Sequence, residues 1–247
     1  MSETLCALIY GEPGAGKSWL GQTTPAPRLV LDAEGGSRHA MRMGPDGKAV
    51  RVKKIVWDPT RDAPPEAGDW EVAQVFLRDF KTLKRVFEWL NTGQHPFRSI
   101  VVDSLTEVQK RCKDALAGTE TLTERMWGDL LIQMEQLVRQ FRDLTFHEIK
   151  PIECVVILAL ALDKGKKVRP AVQGALGTSL PGYVDLEGYI APVTSEDGTV
   201  ERRMLIAFHE TYEAKCRLHQ LTEAYGNVIV NPEFTTMLEL INTEESA

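Results

Sequence analysis

Short runs of consecutive apolar residues alternate along the chain with longer segments in which apolar positions recur every three or four residues. The runs at 5–10, 28–31, 50–57, 99–103 and 153–162 predict strands. The last is too apolar to have a wet side. Helical spacing begins near Lys17. It returns over 80–90, where Leu83, Val86, Phe87 and Leu90 share a face. Ser104 with Glu107 three residues on is a capping-box pattern, and Leu105, Val108, Cys112 and Leu116 continue it. A longer helix is expected over about 123–146, with Met126, Leu130, Met134, Leu137, Phe141 and Leu144 in one stripe that reads as a core face. Segments 184–193 and 202–209 predict later strands, joined by the turn Glu196-Asp197-Gly198. Residues 235–241 predict a short helix, with Glu244 and Glu245 fraying after it. Pro59, Pro64, Pro65 and Gly68 mark 58–69 as a loop. Strands apolar on both faces and separated by helices imply a mostly parallel central sheet with helices on both faces. The C-terminal strands are expected to be antiparallel.

The 247 residues, 43% of them hydrophobic, suffice for a sizeable core. The segments before residue 58 are too few to bury a core alone. One domain over 1–247 is therefore expected, with a core of about 4–210 and a strand/helix extension of about 211–247. Lys and Arg number 29 against 35 Asp and Glu, and 29 − 35 gives a net charge of −6. This excludes a protein that coats DNA by bulk positive charge, but leaves a local nucleic-acid site open. Cys6, Cys112, Cys154 and Cys216 show no CxxC spacing, so a zinc ribbon or thioredoxin-type site is not indicated. They fit reduced cysteines of a cytosolic protein. Residues 1–10 carry no basic segment of a signal peptide, and the apolar run 154–162 is about half a bilayer span. A cytoplasmic protein with no membrane association is expected.

Residues 11–18 supply the first chemistry. Gly11-Glu12-Pro13-Gly14-Ala15-Gly16-Lys17-Ser18 matches GxxxxGK[ST] in full, between a strand and a helix pattern. Its glycines let backbone N–H groups approach phosphates, and the following helix adds its unpaired N–H groups. Lys17 is expected to reach the β- and γ-phosphates of ATP and Ser18 to hold Mg²⁺. Asp103 ends the apolar strand Ile100-Val101-Val102 and is the second magnesium partner expected in a Walker B pattern. Hydrolysis also needs a group that activates water. Glu34, just beyond the run Leu29-Val30-Leu31-Asp32-Ala33, is the choice, with Asp32 as the neighbouring alternative.

Leu-Val-Leu-Asp-Ala-Glu-Gly at 29–35 resembles the second-strand motif of RecA-type recombinases, and Ile-Val-Val-Asp-Ser at 100–104 resembles their Walker B strand. Further stretches are Gln173-Gly174-Ala175-Leu176-Gly177, Tyr183-Val184-Asp185, Ala214-Lys215-Cys216-Arg217 and Val230-Asn231-Pro232. Together they resemble the phage-encoded, RecA-like nucleotide-binding proteins of an AAA-type family that includes annealing-associated Sak ATPases. The resemblance covers roughly residues 4–241. It implies a RecA-like P-loop NTPase core acting on single-stranded DNA in recombination, annealing or replication. It also implies a homo-oligomer, ring or filament, with ATP between subunits, and a single-strand-binding protein as a possible partner. If the chain is phage-encoded, its place is the host cytoplasm.

The resemblance points to two further sets of residues. Lys215 and Arg217 have the spacing of a cation pair that completes the neighbouring subunit's site, and a solvated surface pair would have the same spacing. Lys164, Lys166, Lys167 and Arg169 lie where such proteins touch single strands, with no aromatic residue interleaved. One feature departs from the pattern. RecA-like cores end that strand with a polar residue that senses the γ-phosphate, whereas 157–162 is apolar throughout and leaves only Gln173 from the following loop. Two other functions fit a phosphate loop. One is a nucleotide-gated binding protein with negligible turnover. The other is a small-molecule kinase, for which an Arg-rich lid is missing from the sequence after Asp103.

Overall fold

The computed structural model describes residues 3–39, 41–43, 49–165, 167–194 and 198–243. The chain opens with β1 (Leu5–Gly11), α1 (Lys17–Gly21) and β2 (Arg28–Asp32). A small hairpin, β3 (Arg42–Met43) and β4 (Ala49–Val50), is followed by β5 (Lys54–Val56) and β6 (Val72–Phe76). Next come α2 (Phe80–Leu90), β7 (Ser99–Asp103), α3 (Leu105–Ala117) and α4 (Glu124–Asp143). The remainder is β8 (Cys154–Asp163), β9 (Val168–Pro170), α5 (Leu176–Tyr183), β10 (Leu186–Thr194), β11 (Val200–Leu205), β12 (Lys215–Cys216), α6 (His219–Tyr225), β13 (Val228–Val230) and α7 (Phe234–Thr243).

The main sheet runs β13-β11-β10-β1-β8-β7-β2-β6-β5, with β12 added to β10 and β9 to β8. From β10 to β5 every neighbouring pair is parallel. The pairings of β11, β12 and β13 are antiparallel. Alternation along the strands divides the core into two layers. Cys6, Leu8 and Tyr10 of β1 face one side with Leu83, Val86, Met134 and Phe141 of α2 and α4. Leu5, Ala7 and Ile9 face the other with Leu20 of α1 and Phe234, Met237 and Ile241 of α7. The expected α/β architecture, with a parallel centre, helices on both faces and antiparallel C-terminal strands, is the one observed.

Several local expectations change. The run 50–57 splits: β4 pairs with β3, and only Lys54–Val56 joins the main sheet. α1 is about one turn long, and its last residue, Gly21, packs its bare backbone against Val101, where a Cβ would lie 3.0 Å from that side chain. β6, α5 and α6 lie outside the elements that the apolar pattern predicts. Segment 202–209 is a strand only to Leu205, and the turn residues Glu196 and Asp197, like Glu244 and Glu245, lie outside the described residues. α3 and α4 have Ser104 and Thr123 as their caps, each accepting a backbone N–H with its side-chain oxygen. No helix among the described residues is long and apolar enough to cross a membrane.

Candidate nucleotide site

In a parallel sheet the C-terminal strand ends open onto one crevice. Here β8 separates β1 from β7, and the register places Gly11 beside Leu160, and Asp103 beside both Leu158 and Asp32. The phosphate loop leaves β1 at Gly11. A Cβ there would sit 2.3 Å from the Ile190 carbonyl oxygen, so only glycine lets the loop start this close to β10. Gly14 and Gly16 take φ of 82° and 94°, conformations that glycine adopts without penalty. Ala15 N–H closes the turn onto Glu12 O.

The side chains at 17, 18, 34 and 103 meet at this loop. Lys17, only 8% exposed, donates from Nζ to Gly11 O and Glu12 O, both at 2.9 Å. Burial pulls its pKa down, against the opposing pull of Glu34, Asp103 and Glu12. Ser18 Oγ donates to Asp103 Oδ2 at 2.7 Å. Burial, with the charges of Glu34 and Asp32, pushes the Asp103 carboxyl up to about 6, while the Ser18 hydrogen bond and Lys17 hold it down. Glu34 is exposed and accepts a hydrogen bond on Oε1 from Ser104 Oγ, the cap of α3. A hydroxyl and a carboxylate in mutual contact are hard oxygen donors of the kind Mg²⁺ takes, usually with phosphate oxygens and waters. Ser18 and Asp103 would hold that ion, which when bound neutralises phosphate charge.

Asp32, the alternative to Glu34 as water activator, is engaged within the turn itself. It is 1% exposed and accepts from Gly35 N, Ser37 Oγ and Gln74 Nε2. These bonds hold the turn that carries Glu34, and Asp32 is a positioning group there. Gln74, buried in β6, is a contributor that the sequence did not reveal.

The remaining candidates lie away from this centre. Lys215 pairs across from Glu187, a position level with Leu8 of β1 and below the loop. Arg217 donates from Nη2 to Gly182 O at 2.9 Å. Both sit on the strand edge beside β10. Lys164 and Lys167 lie in the β8–β9 hairpin and Arg169 in β9, while Lys166 is outside the described residues. Segment 211–213 runs beside this hairpin through Val168 N to Thr211 O at 2.7 Å and Glu213 N to Val168 O at 3.0 Å. It brings the 76% exposed Phe208 to the hairpin, with Lys167 Nζ 5.1 Å from its ring centroid. The aromatic that the linear sequence does not place in this patch is supplied from some forty residues on. Gln173 is exposed, but its backbone N and O are both held by the Gln109 side chain, at 2.7 and 3.1 Å.

A parallel sheet with this loop, an acid-ended strand at the same crevice and a serine–aspartate contact between them defines a P-loop nucleotide-binding protein of ATPase type. A family model described as an AAA domain matches residues 3–218, and the chain belongs to that family. A search of curated proteins found no match to the chain.

Proposed function

We propose that the chain is a magnesium-dependent ATPase that acts on single-stranded DNA, in recombination, annealing or replication, as a homo-oligomer. The observation that carries the catalytic part is the meeting of Lys17, Ser18, Asp103 and Glu34 at one loop. In this reading Lys17 binds the β- and γ-phosphates, and Ser18 and Asp103 hold Mg²⁺. Glu34 orients and deprotonates the attacking water. Its contact with Ser104 ties it to the residue next to Asp103. Lys215 and Arg217 act on the γ-phosphate of a neighbouring subunit, which couples turnover to assembly.

The DNA part is supported by the hairpin of Lys164, Lys167 and Arg169. Cations on a turn suit backbone phosphates, and Phe208 adds an exposed ring beside them. A sequence of this kind in a phage genome would fit the annealing-associated ATPases it resembles.

The test is phosphate release with and without single-stranded DNA. Wild type should hydrolyse ATP faster with DNA. Glu34→Gln should bind ATP normally and lose turnover by roughly 10²–10⁴-fold. The apolar end of β8, at Leu160, Ala161 and Leu162, favours a second reading, in which bound ATP is signalled to a partner with negligible turnover. Wild-type ATP binding without phosphate release would select that second reading.

A further inference from the structure

Trp19 follows Ser18 directly, and its indole lies against Arg202 of β11, whose guanidinium carbon is 5.2 Å from the ring centroid. Beside them is a cavity of about 290 Å³ lined by Trp19, Leu20, Ile190, Val200, Arg202 and Pro232, among others. It flanks both ends of the phosphate loop. Ile190 is the residue whose carbonyl crowds Gly11, and the Arg202 side chain fills the space beside Gly16, where a Cβ would lie 2.2 Å from Nε.

Arg202 is held firmly by its backbone and loosely by its head. Its N–H donates to Asn231 Oδ1 at 3.0 Å, and Asn231 N–H donates back to Arg202 O at 2.6 Å. Asn231 adopts a left-handed φ of 48°, which turns the chain into buried Pro232. Among the described residues the guanidinium itself makes no ion pair, and its described partner is the indole face. A planar, weakly hydrated cation on an aromatic face is suited to stack a second flat ring.

We propose that this cavity receives the base of the nucleotide whose phosphates the loop holds, with Arg202 stacked on that base. The proposal rests on the nucleotide-binding reading above and adds where the nucleoside lies. The loop fixes the phosphates between Gly11 and Ser18. The Trp19–Arg202 cavity begins at the next residue and is lined by Leu20, Ile190, Val200 and Pro232 together with Thr23, Asn231 and Glu233, a mixed wall with an acid in it that suits a heteroaromatic ring with polar edge atoms rather than further phosphate.

The experiment compares ATP with inorganic tripolyphosphate, which has the phosphates and no base, by titration calorimetry on the full chain. Wild type should bind both. Arg202→Ala should weaken ATP by about tenfold or more and leave tripolyphosphate within about twofold. Arg202→Lys should lose ATP affinity similarly, because it keeps the charge and loses the plane. Circular-dichroism melts of both variants establish that they fold. ATP, and not tripolyphosphate, should also change tryptophan emission, and Trp19→Phe should abolish that change. Equal weakening of both ligands, or no weakening of ATP, overturns the proposal while leaving the nucleotide site intact. A wild-type chain that binds neither ligand overturns the nucleotide reading, and the base subsite with it.

Discussion

Ser18 Oγ and Asp103 Oδ2 are 2.7 Å apart although 85 positions separate the two residues. The contact spans β8, which lies between β1, whose loop leads to Ser18 at the start of α1, and β7, which Asp103 ends. It joins the end of the phosphate loop to the buried acid that ends β7. The two groups thus present oxygen donors at one point, which is where Mg²⁺ would be held in the function proposed above.

The first prediction concerns that contact. Ser18→Ala removes one hard donor and leaves Asp103 without its hydrogen bond. In wild type, ATP should bind about tenfold or more tightly with Mg²⁺ than with chelator. In Ser18→Ala the two affinities should converge, as measured by calorimetry in each buffer. Asp103→Asn should likewise lose turnover by about 10²-fold or more while still folding. A Ser18→Ala protein with full magnesium dependence would remove Ser18 from the metal site.

The second prediction is about pH. Glu187 is 2% exposed, and one of its oxygens lies buried with no hydrogen-bond partner among the described residues. Burial and the charge of Glu213 push its carboxyl up to about 7 from an ordinary 4.5, with Lys215 and Lys167 opposing. A raised carboxyl pKa means the folded chain holds this proton better than the unfolded one. Stability should therefore fall as pH rises from 4.5 to 7, by roughly 3 kcal/mol at most, and stay low above that. Glu187→Gln should unfold at higher temperature than wild type at pH 8 and lose this part of the pH dependence. Thermal melts from pH 5 to 8 check both. Equal pH slopes in the two proteins would count against a proton held on Glu187.

The GxxxxGK[ST] spacing made the phosphate loop legible, and the apolar pattern made most strands legible, because strands buried on both faces need unbroken apolar runs. β6 escaped for the same reason. Gln74 interrupts its run, and a glutamine is tolerated in mid-sheet only because Asp32 and Ser37 pair with it. Of the two acids that sequence spacing left open, Asp32 accepts hydrogen bonds within the turn, and Glu34 stands beside Ser104. The Trp19–Arg202 contact and the approach of Phe208 to Lys167 are products of tertiary pairing. No local spacing encodes them.

The third prediction separates charge from stacking in the hairpin. Phe208→Ala should weaken single-stranded DNA binding by roughly 1–3 kcal/mol and leave its salt dependence unchanged. Lys167→Ala should reduce the slope of log affinity against log salt by about 0.7, the value for one phosphate contact on a single strand. Fluorescence anisotropy across a salt series reads both. If Phe208→Ala alters the slope and Lys167→Ala does not, the assigned roles are wrong.

The fourth prediction uses two inactive proteins. Glu34 lies at the chain's own phosphate loop, whereas Lys215 and Arg217 lie on the edge beside β10 and do not join it. If that edge completes a neighbour's site, the two lesions fall in different halves of one shared centre. Glu34→Gln lacks the water activator but offers an intact edge. A Lys215→Ala, Arg217→Ala protein lacks the edge cations but keeps its own loop. Each alone should release phosphate at no more than about 1% of the wild-type rate. Mixed in equal amounts, some interfaces pair an intact loop with an intact edge, and activity should return to about a quarter of wild type, since random pairing makes one interface in four complete. Light scattering in the same buffer confirms assembly. Activity that stays at the level of the separate proteins, in a mixture shown to co-assemble, would assign the edge cations to a role within their own subunit.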